Sequence, residues 1–176
     1  MARGDEEFVE FAEASSARLQ RAAYLLTGDP HQAEELAQAT LVRVYAAWGR
    51  VMRRDPYAYA RTVLANLATD QWRRPMREYA TEVMPEQEAP RDVADDVARR
   101  RWLINALRAL SPRERSVIVL RHLFDASETE VARDLNLSLG TVKSLNSRGL
   151  AKLRVIVGAL APKPQINTRT EMGVRR

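Results

Sequence analysis

Residues 127–154 read SETEVARDLNLSLGTVKSLNSRGLAKLR, and the fold turns on how this stretch is parsed. Ser127 followed by Glu130 is a capping box: the serine oxygen accepts from a backbone N–H one turn on, while the glutamate reaches back to the serine's own N–H. A short helix is expected over 128–135, with Val131, Ala132 and Leu135 on one face. Asn136 comes next, a residue that tolerates the left-handed backbone by which a chain leaves a helix. Ser138 can cap again, so a longer amphipathic helix starts at Leu139, with Val142, Leu150, Leu153 and Val157 turned inward. Outward it shows Thr141, Lys143, Ser144, Ser147 and Arg148.

Two helices joined by three or four residues have the spacing of a helix-turn-helix, whose first helix braces a DNA backbone while the second enters the major groove. Arginine can pair bidentately with guanine, and serine or threonine can contact several bases, so Thr141, Lys143, Ser144, Ser147 and Arg148 suit base-edge readout. An ordinary helical hairpin with a solvated face would give the same local pattern. The sequence on either side has to decide between them.

At 176 residues, 45% hydrophobic and 29% charged, the chain can bury a core, expected as two small domains rather than one large one. A net charge of +5 favours a polyanionic partner. There is no cysteine, which excludes disulfides, thiolate metal sites and cysteine nucleophiles together. No apolar run approaches the roughly 18 residues of a membrane span, and the first ten residues are acidic rather than signal-like, so a cytoplasmic location is expected without membrane partners. Glycine is scarce and no stretch alternates apolar with polar, so the expected fold class is all-α.

Residues 5–27 form the first expected helix, with Phe8, Phe11, Ala12, Ser15, Leu19, Ala22, Ala23 and Leu26 on one stripe and Gly28 as its stop. Asp29 then caps, and Pro30 stands where its missing N–H costs nothing. This second helix is expected to run through Trp48 to a stop at Gly49, with Ala33, Leu36, Ala37, Thr40, Val44 and Ala47 facing inward and Leu41, Tyr45 and Trp48 widening its apolar arc. Such an excess suits either a docking surface or a third packed helix.

Arg50, Arg53 and Arg54 make a basic loop before Asp55 and Pro56, a second cap-plus-proline start. The third helix, expected over 56–74, carries Tyr59, Ala60, Val63 and Leu67 toward a core, with Arg61, Arg73 and Arg74 on its outside. Asn66 interrupts its middle. An asparagine there has weak helix propensity and is kept either for an external hydrogen bond or for a bond to a neighbouring helix.

Residues 75–96 hold seven carboxylates against Arg77 and Arg91, a net of minus five with little apolar content, and are expected to be an acidic linker, extended or disordered. The remainder therefore carries about plus ten. Helical periodicity resumes at Val97 with Leu103, Ala106, Leu107 and Leu110, and Ser111, Pro112 and Glu114 open another helix to Leu123. Residues 161–176 read as a disordered basic tail.

With both halves in view, residues 6–153 resemble bacterial RNA polymerase sigma factors of the extracytoplasmic-function class, of the SigE-like actinobacterial type. Leu110 to Glu114, with Glu130, Ala132, Leu135, Ser138, Gly140 to Ser144, Arg148, Leu150, Leu153 and Arg154, stand as in that family's fourth region. Ala33 to Leu36, Gln38 and Thr40 look like the polymerase-binding helix of region two, and Pro56, Tyr59, Val63, Asn66, Leu67, Asp70, Arg73 and Arg74 like its promoter-melting helix. The resemblance implies a region-2 domain over 1–74, the linker over 75–96 and a region-4 domain over 97–160. It implies core RNA polymerase and promoter DNA as partners, with room for an anti-sigma factor, and no cofactor, metal or catalysis.

On that resemblance Glu35, Leu36, Gln38, Leu41 and Val44 would contact polymerase. Arg53, Arg54, Tyr59, Asn66, Arg73 and Arg74 would serve the minus-ten element, and Thr141, Lys143, Ser144, Ser147 and Arg148 the minus-thirty-five element. The chain departs from the family pattern at four places. Asn136 replaces a usual glycine, Ala39 a common acidic residue, and Tyr59 a frequent tryptophan. Leu145 stands where arginine or glutamine is common, which implies either a missing contact or an exposed leucine against a thymine methyl.

Two other classes compete. Leu110 to Arg115 with Gly140 to Lys143 also resemble the DNA-binding domains of LuxR-type regulators; a receiver domain in front of them would need alternating strands and helices. An enzyme would need more than His31 with Glu34 and Glu35, which read as a solvated helix start, and no phosphate loop or nucleophile motif is present.

Overall fold

Side-chain caps set the starts of most of the helices. The computed structural model describes residues 3–73 and 91–160, and the regular structure among them is helical throughout. In chain order the helices are α1 (Arg3–Thr27), α2 (Pro30–Ala46), α3 (Trp48–Val51), α4 (Pro56–Arg73), α5 (Arg91–Arg108), α6 (Pro112–His122), α7 (Glu128–Leu135) and α8 (Leu139–Leu160). Asp29 accepts from the Gln32 N–H at 2.8 Å, and Asp55 from Ala58 at 2.9 Å. Ser111 with Glu114, and Ser127 with Glu130, each close a full capping box. Such caps contribute about 0.5 to 2 kcal/mol each. Asn136 leaves α7 at φ 51°, ψ 51°, the left-handed exit that its residue type favours.

Two boundaries fall elsewhere than the sequence suggests. The second helix stops at Ala46, because Ala47 leaves the helical region at φ −101°, ψ 2°, and a separate turn, α3, starts at Trp48. The break turns Trp48 into the molecule, where it is 7% exposed and packs 5.3 Å from Phe8 and 5.2 Å from Phe11. Further on, α5 begins at Arg91, inside the expected linker; a run of carboxylates, which argues against a core, is also what a helix N-terminus accommodates. Residues 75–90 of that linker, Arg74 and the expected tail over 161–176 lie outside the described residues.

The core starts in α1 with Leu19, Ala22, Ala23 and Leu26, meets Leu36 and Val44 of α2 and Ala60, Leu64 and Ala68 of α4, and continues into Val117, Leu120, Val131, Val142 and Leu145. One buried cluster thus runs from the first half of the chain into the second. At its edge the Tyr57 and Phe124 rings lie 5.7 Å apart, with the Arg18 guanidinium 5.3 Å and 5.6 Å from their centroids. A smaller cluster of Leu107, Leu110 and Ile118 takes Leu150 and Leu153 against it.

Three inward or outward assignments are corrected. Leu145, expected exposed, is 6% exposed and belongs to the core, one turn after Val142 on the same stripe. Val157, expected inward, is 46% exposed, because α8 has 22 residues against the 11 of α6 beneath it and its last turns outrun the core. Arg61, expected on the outside of its helix, is buried at 6% exposure.

Candidate nucleic-acid interface

The second helix of the helix-turn-helix is placed by three contacts beneath it. Gly149 meets α6 so closely that a Cβ there would lie 2.9 Å from Ile118 Cγ1. Lys152 donates to both carboxylate oxygens of Glu114, at 3.0 Å and 2.7 Å. His122 Nε2 lies 3.2 Å from Asn146 Oδ1. With its inner face held by Val142, Leu145 and Gly149, the helix has one surface left to show.

That surface carries the expected residues. Lys143, Ser144, Ser147 and Arg148 are exposed and together line one open recess. Lys143 Nζ stands 3.9 Å from Glu128 Oε2, an exposed pair worth little and readily exchanged for a phosphate. Thr141 differs: it is half-buried, its N–H donates to Ser138 Oγ at 3.1 Å, and its hydroxyl pairs with that same oxygen at 2.8 Å. It serves the helix cap first, and offers its methyl rather than a free hydroxyl to a ligand. Positive charge interleaved with short hydroxyls on a protruding helix can bind a phosphate backbone and read base edges.

A second candidate surface lies on α4 and the basic loop before it. Arg53 and Arg54 are exposed in that loop. Tyr59 and Asn66 stand seven residues apart, hence on one face and about 10 Å apart along the axis. Asn66 is exposed and Tyr59 half-buried against the core. The buried-asparagine alternative is thereby set aside. Arg73 ends α4; its side chain and all of Arg74 lie outside the described residues.

On α2 the expected docking residues divide. Glu35 and Gln38 are exposed and Leu41 is half-buried, but Leu36 at 1% and Val44 at 0% exposure are core residues. The family resemblance puts these two on a partner surface, whereas the helix's own periodicity puts them on its packing face, and that is where they lie. The stripe that α2 does offer runs from Glu35 through Gln38 to Val42 and Tyr45, 67% and 50% exposed. Val42 was legible as an apolar residue off the core stripe. Tyr45 donates to Asp5 Oδ1 at 2.9 Å, and that bond raises its pKa.

His31 is exposed, with Nε2 3.6 Å from Glu35 Oε1, and no cluster of metal-binding side chains occurs among the described residues. What sequence reasoning missed is a polar group between α4 and α7, with Arg61 and Asp134 buried and Thr62 and Glu130 at their edge. A signal was present. Arg61 falls on one helical stripe with Leu64, Ala65 and Ala68, and Asp134 on one with Val131, so each breaks an apolar face with a charge.

Comparison with known proteins covers both surfaces. Residues 11–78 match sigma-70 region 2, and residues 100–153 match sigma-70, region 4. The RNA polymerase sigma-E factor of Streptomyces avermitilis is 41% identical over 157 residues, covering 88% of this chain and 87% of that protein. That of Streptomyces coelicolor is 40% identical over 150 residues, covering 84% of each. In fold, the chain is similar to the sigma factor RpoE solved in complex with the anti-sigma factor NepR from Bartonella quintana, with a TM-score of 0.66 and 24% identity over 87% of this chain and 98% of that one.

Proposed function

This chain belongs to the sigma-70 family, and we propose that within it the chain works as an extracytoplasmic-function sigma factor: it binds core RNA polymerase and directs initiation at its own set of promoters. The family consists of initiation factors rather than enzymes, and this chain contributes recognition, not chemistry. One observation carries the reading: α8 is packed on one side and exposes Lys143, Ser144, Ser147 and Arg148 together on the other.

In this reading α8 lies in the major groove of the minus-thirty-five element. Arg148, Lys143 and the two serines face base edges, and Thr141 approaches from the helix start. The loop with Arg53 and Arg54 and the α4 face of Tyr59 and Asn66 take the minus-ten element, with Arg73 and Arg74 on phosphates. Opening a duplex means capturing an unstacked base, and a half-buried tyrosine beside an exposed asparagine supplies a ring to stack on and an amide to bond an edge. Core polymerase is contacted along α2 by Glu35, Gln38 and Leu41, extended by Val42 and Tyr45. No described helix is long and apolar enough to cross a membrane, and the place of action is the cytoplasm, with the polymerase. An anti-sigma factor, the partner in the Bartonella quintana complex, is a further partner for the same surfaces.

The LuxR-type alternative is not favoured. Its receiver half requires strands, and residues 3–73 contain none. Run-off transcription with core polymerase over a library of genomic fragments tests the proposal. Start sites sharing two spaced upstream motifs are expected; random starts, or none above core polymerase alone, would reject it.

A further inference from the structure

Helix α8 begins unlike the other capped helices. Pro30, Pro56 and Pro112 open α2, α4 and α6, and Glu128 opens α7. Each suits a first helical position, proline because its missing N–H is not needed there and glutamate because it meets the positive end of the helix dipole. α8 opens instead on Leu139 and has no carboxylate in its first turn. Ser138 supplies the cap, accepting from the Thr141 N–H at 3.1 Å. The start is thus secured without the leucine.

Packing does not account for Leu139 either. Of the two leucines that flank Ser138, Leu137 is the one half-buried against the core that contains Val142, the arrangement of a hydrophobic staple at a helix entry. Leu139 is 42% exposed and belongs to neither apolar cluster.

Its place on the helix is where the reading face begins. Residues four apart share a ridge, so Leu139, Lys143 and Ser147 form one row and Gly140, Ser144 and Arg148 the next. The four later members line the open recess. Leu139 and Gly140 carry both rows about 6 Å further toward the N-terminus, the end from which a recognition helix contacts base edges. A Cβ on Gly140 would meet only Ser138 Oγ, at 4.0 Å. The leucine therefore stands as an apolar knob beside bare backbone, in a turn whose lack of carboxylate leaves it open to flanking phosphates.

We propose that Leu139 reads a thymine of the upstream promoter element by packing on its 5-methyl group. The proposal rests on the promoter-directing reading above and deepens it. Thymine alone among the four bases presents a methyl in the major groove, so an apolar contact there distinguishes it from the other three. The leucine and the methyl leave water together, which favours their contact without any hydrogen bond. Lys143, Ser144, Ser147 and Arg148 would read by charge and hydrogen bonds, and Leu139 by shape and apolarity. The thymine contact that the family pattern suggests for Leu145 passes to Leu139, because Leu145 lies in the core.

The test removes the methyl and nothing else. Each thymine of the upstream element, on either strand, is replaced in turn by deoxyuridine, which keeps the same pairing edge. Competition binding to the complex with core polymerase is then measured for the parent chain, Leu139→Ala and Leu139→Met. At one thymine, loss of the methyl is expected to weaken binding by the parent chain about three- to fivefold, the value of one apolar carbon returned to water. Leu139→Ala should bind the thymine promoter at least about threefold more weakly, and should respond to the methyl by less than about 1.5-fold. Leu139→Met, which conserves volume, should keep most of the parent's sensitivity. Alanine and methionine are both good helix formers, and thermal melts of the two variants check that α8 is intact. Equal losses in parent and Leu139→Ala at every thymine, no loss at any, or an upstream element without thymine would overturn the proposal. Failure of the promoter-directing reading is distinguishable: the parent chain would then give no promoter-specific transcript, whatever base stands opposite Leu139.

Discussion

Lys152 Nζ sits 2.7 Å from Oε2 and 3.0 Å from Oε1 of Glu114, so the helix proposed to read DNA is tied to the first turn of the helix beneath it. The same carboxylate accepts from the Ser111 N–H at 3.0 Å and closes the α6 capping box. The Lys152 bond, ahead of burial acting the other way, holds the Glu114 pKa below its ordinary 4.5.

A depressed carboxylate pKa gives stability that is complete above the unfolded value and lost as pH falls through the folded one. Glu114→Gln is expected to cost about 1.5 to 3 kcal/mol at neutral pH, the range for hydrogen bonds to charged groups. The gap between the variant and the parent chain should close as pH drops below the ordinary carboxylate range. Urea denaturation followed by circular dichroism at neutral and acidic pH measures both; a gap that stays constant with pH would contradict the assignment.

Gly149 and Gly158 lie on the same helix and should respond with opposite sign. A methyl at Gly149 meets Ile118 Cγ1 at 2.9 Å, whereas one at Gly158 meets nothing within 4 Å. Gly149→Ala is expected to destabilise by about 1 to 3 kcal/mol through overpacking. Gly158→Ala should stabilise by up to about 1 kcal/mol through helix propensity. Thermal melts of the two variants suffice.

Arg148, exposed on α8, and Arg73, at the end of α4, are proposed to do different work. Arg148→Ala should relax preference at one position of the upstream element by about 1 to 3 kcal/mol. Arg73→Ala should weaken all promoters alike and lower the salt slope by about one. Competition binding of the polymerase complex to a randomised promoter pool, repeated across salt, separates a specificity change from a uniform loss.

Removing one partner of the Arg61 and Asp134 pair strands a buried charge, so Asp134→Leu alone is expected to cost about 3 to 5 kcal/mol. The double change Arg61→Met with Asp134→Leu should recover most of that, or exceed the parent chain by about 1 to 4 kcal/mol. A double-mutant cycle by chemical denaturation checks this. If the two single changes simply add, the pair is not coupled.

The starts of α2, α4, α6 and α7 were legible because capping is local chemistry: Asp29, Asp55, Ser111 and Ser127 act within three residues of themselves, and the exit at Asn136 needs only its own backbone. The outward face of α8 was legible for the same reason, since one helical period separates Lys143 and Ser144 from Ser147 and Arg148. Residues whose environment comes from the far half of the chain were not. Arg61 is solvated or buried according to whether Asp134, 73 residues away, stands opposite it. Leu145 was judged by what the family places there rather than by its own stripe, and Leu36 and Val44, inward by periodicity, were given to a partner by the same resemblance. The end of α2 at Ala46 comes three residues before Gly49, with no glycine or proline at the break itself; the pull of Trp48 toward Phe8 and Phe11 accompanies it.

The stack of Tyr57, Phe124 and the Arg18 guanidinium draws its members from both halves of the chain. Whenever those halves part, two aromatic faces are handed to water at once, a penalty that hydration of the freed arginine only partly offsets. Solvent itself thus presses the two halves together at this point, with a single guanidinium set against both rings.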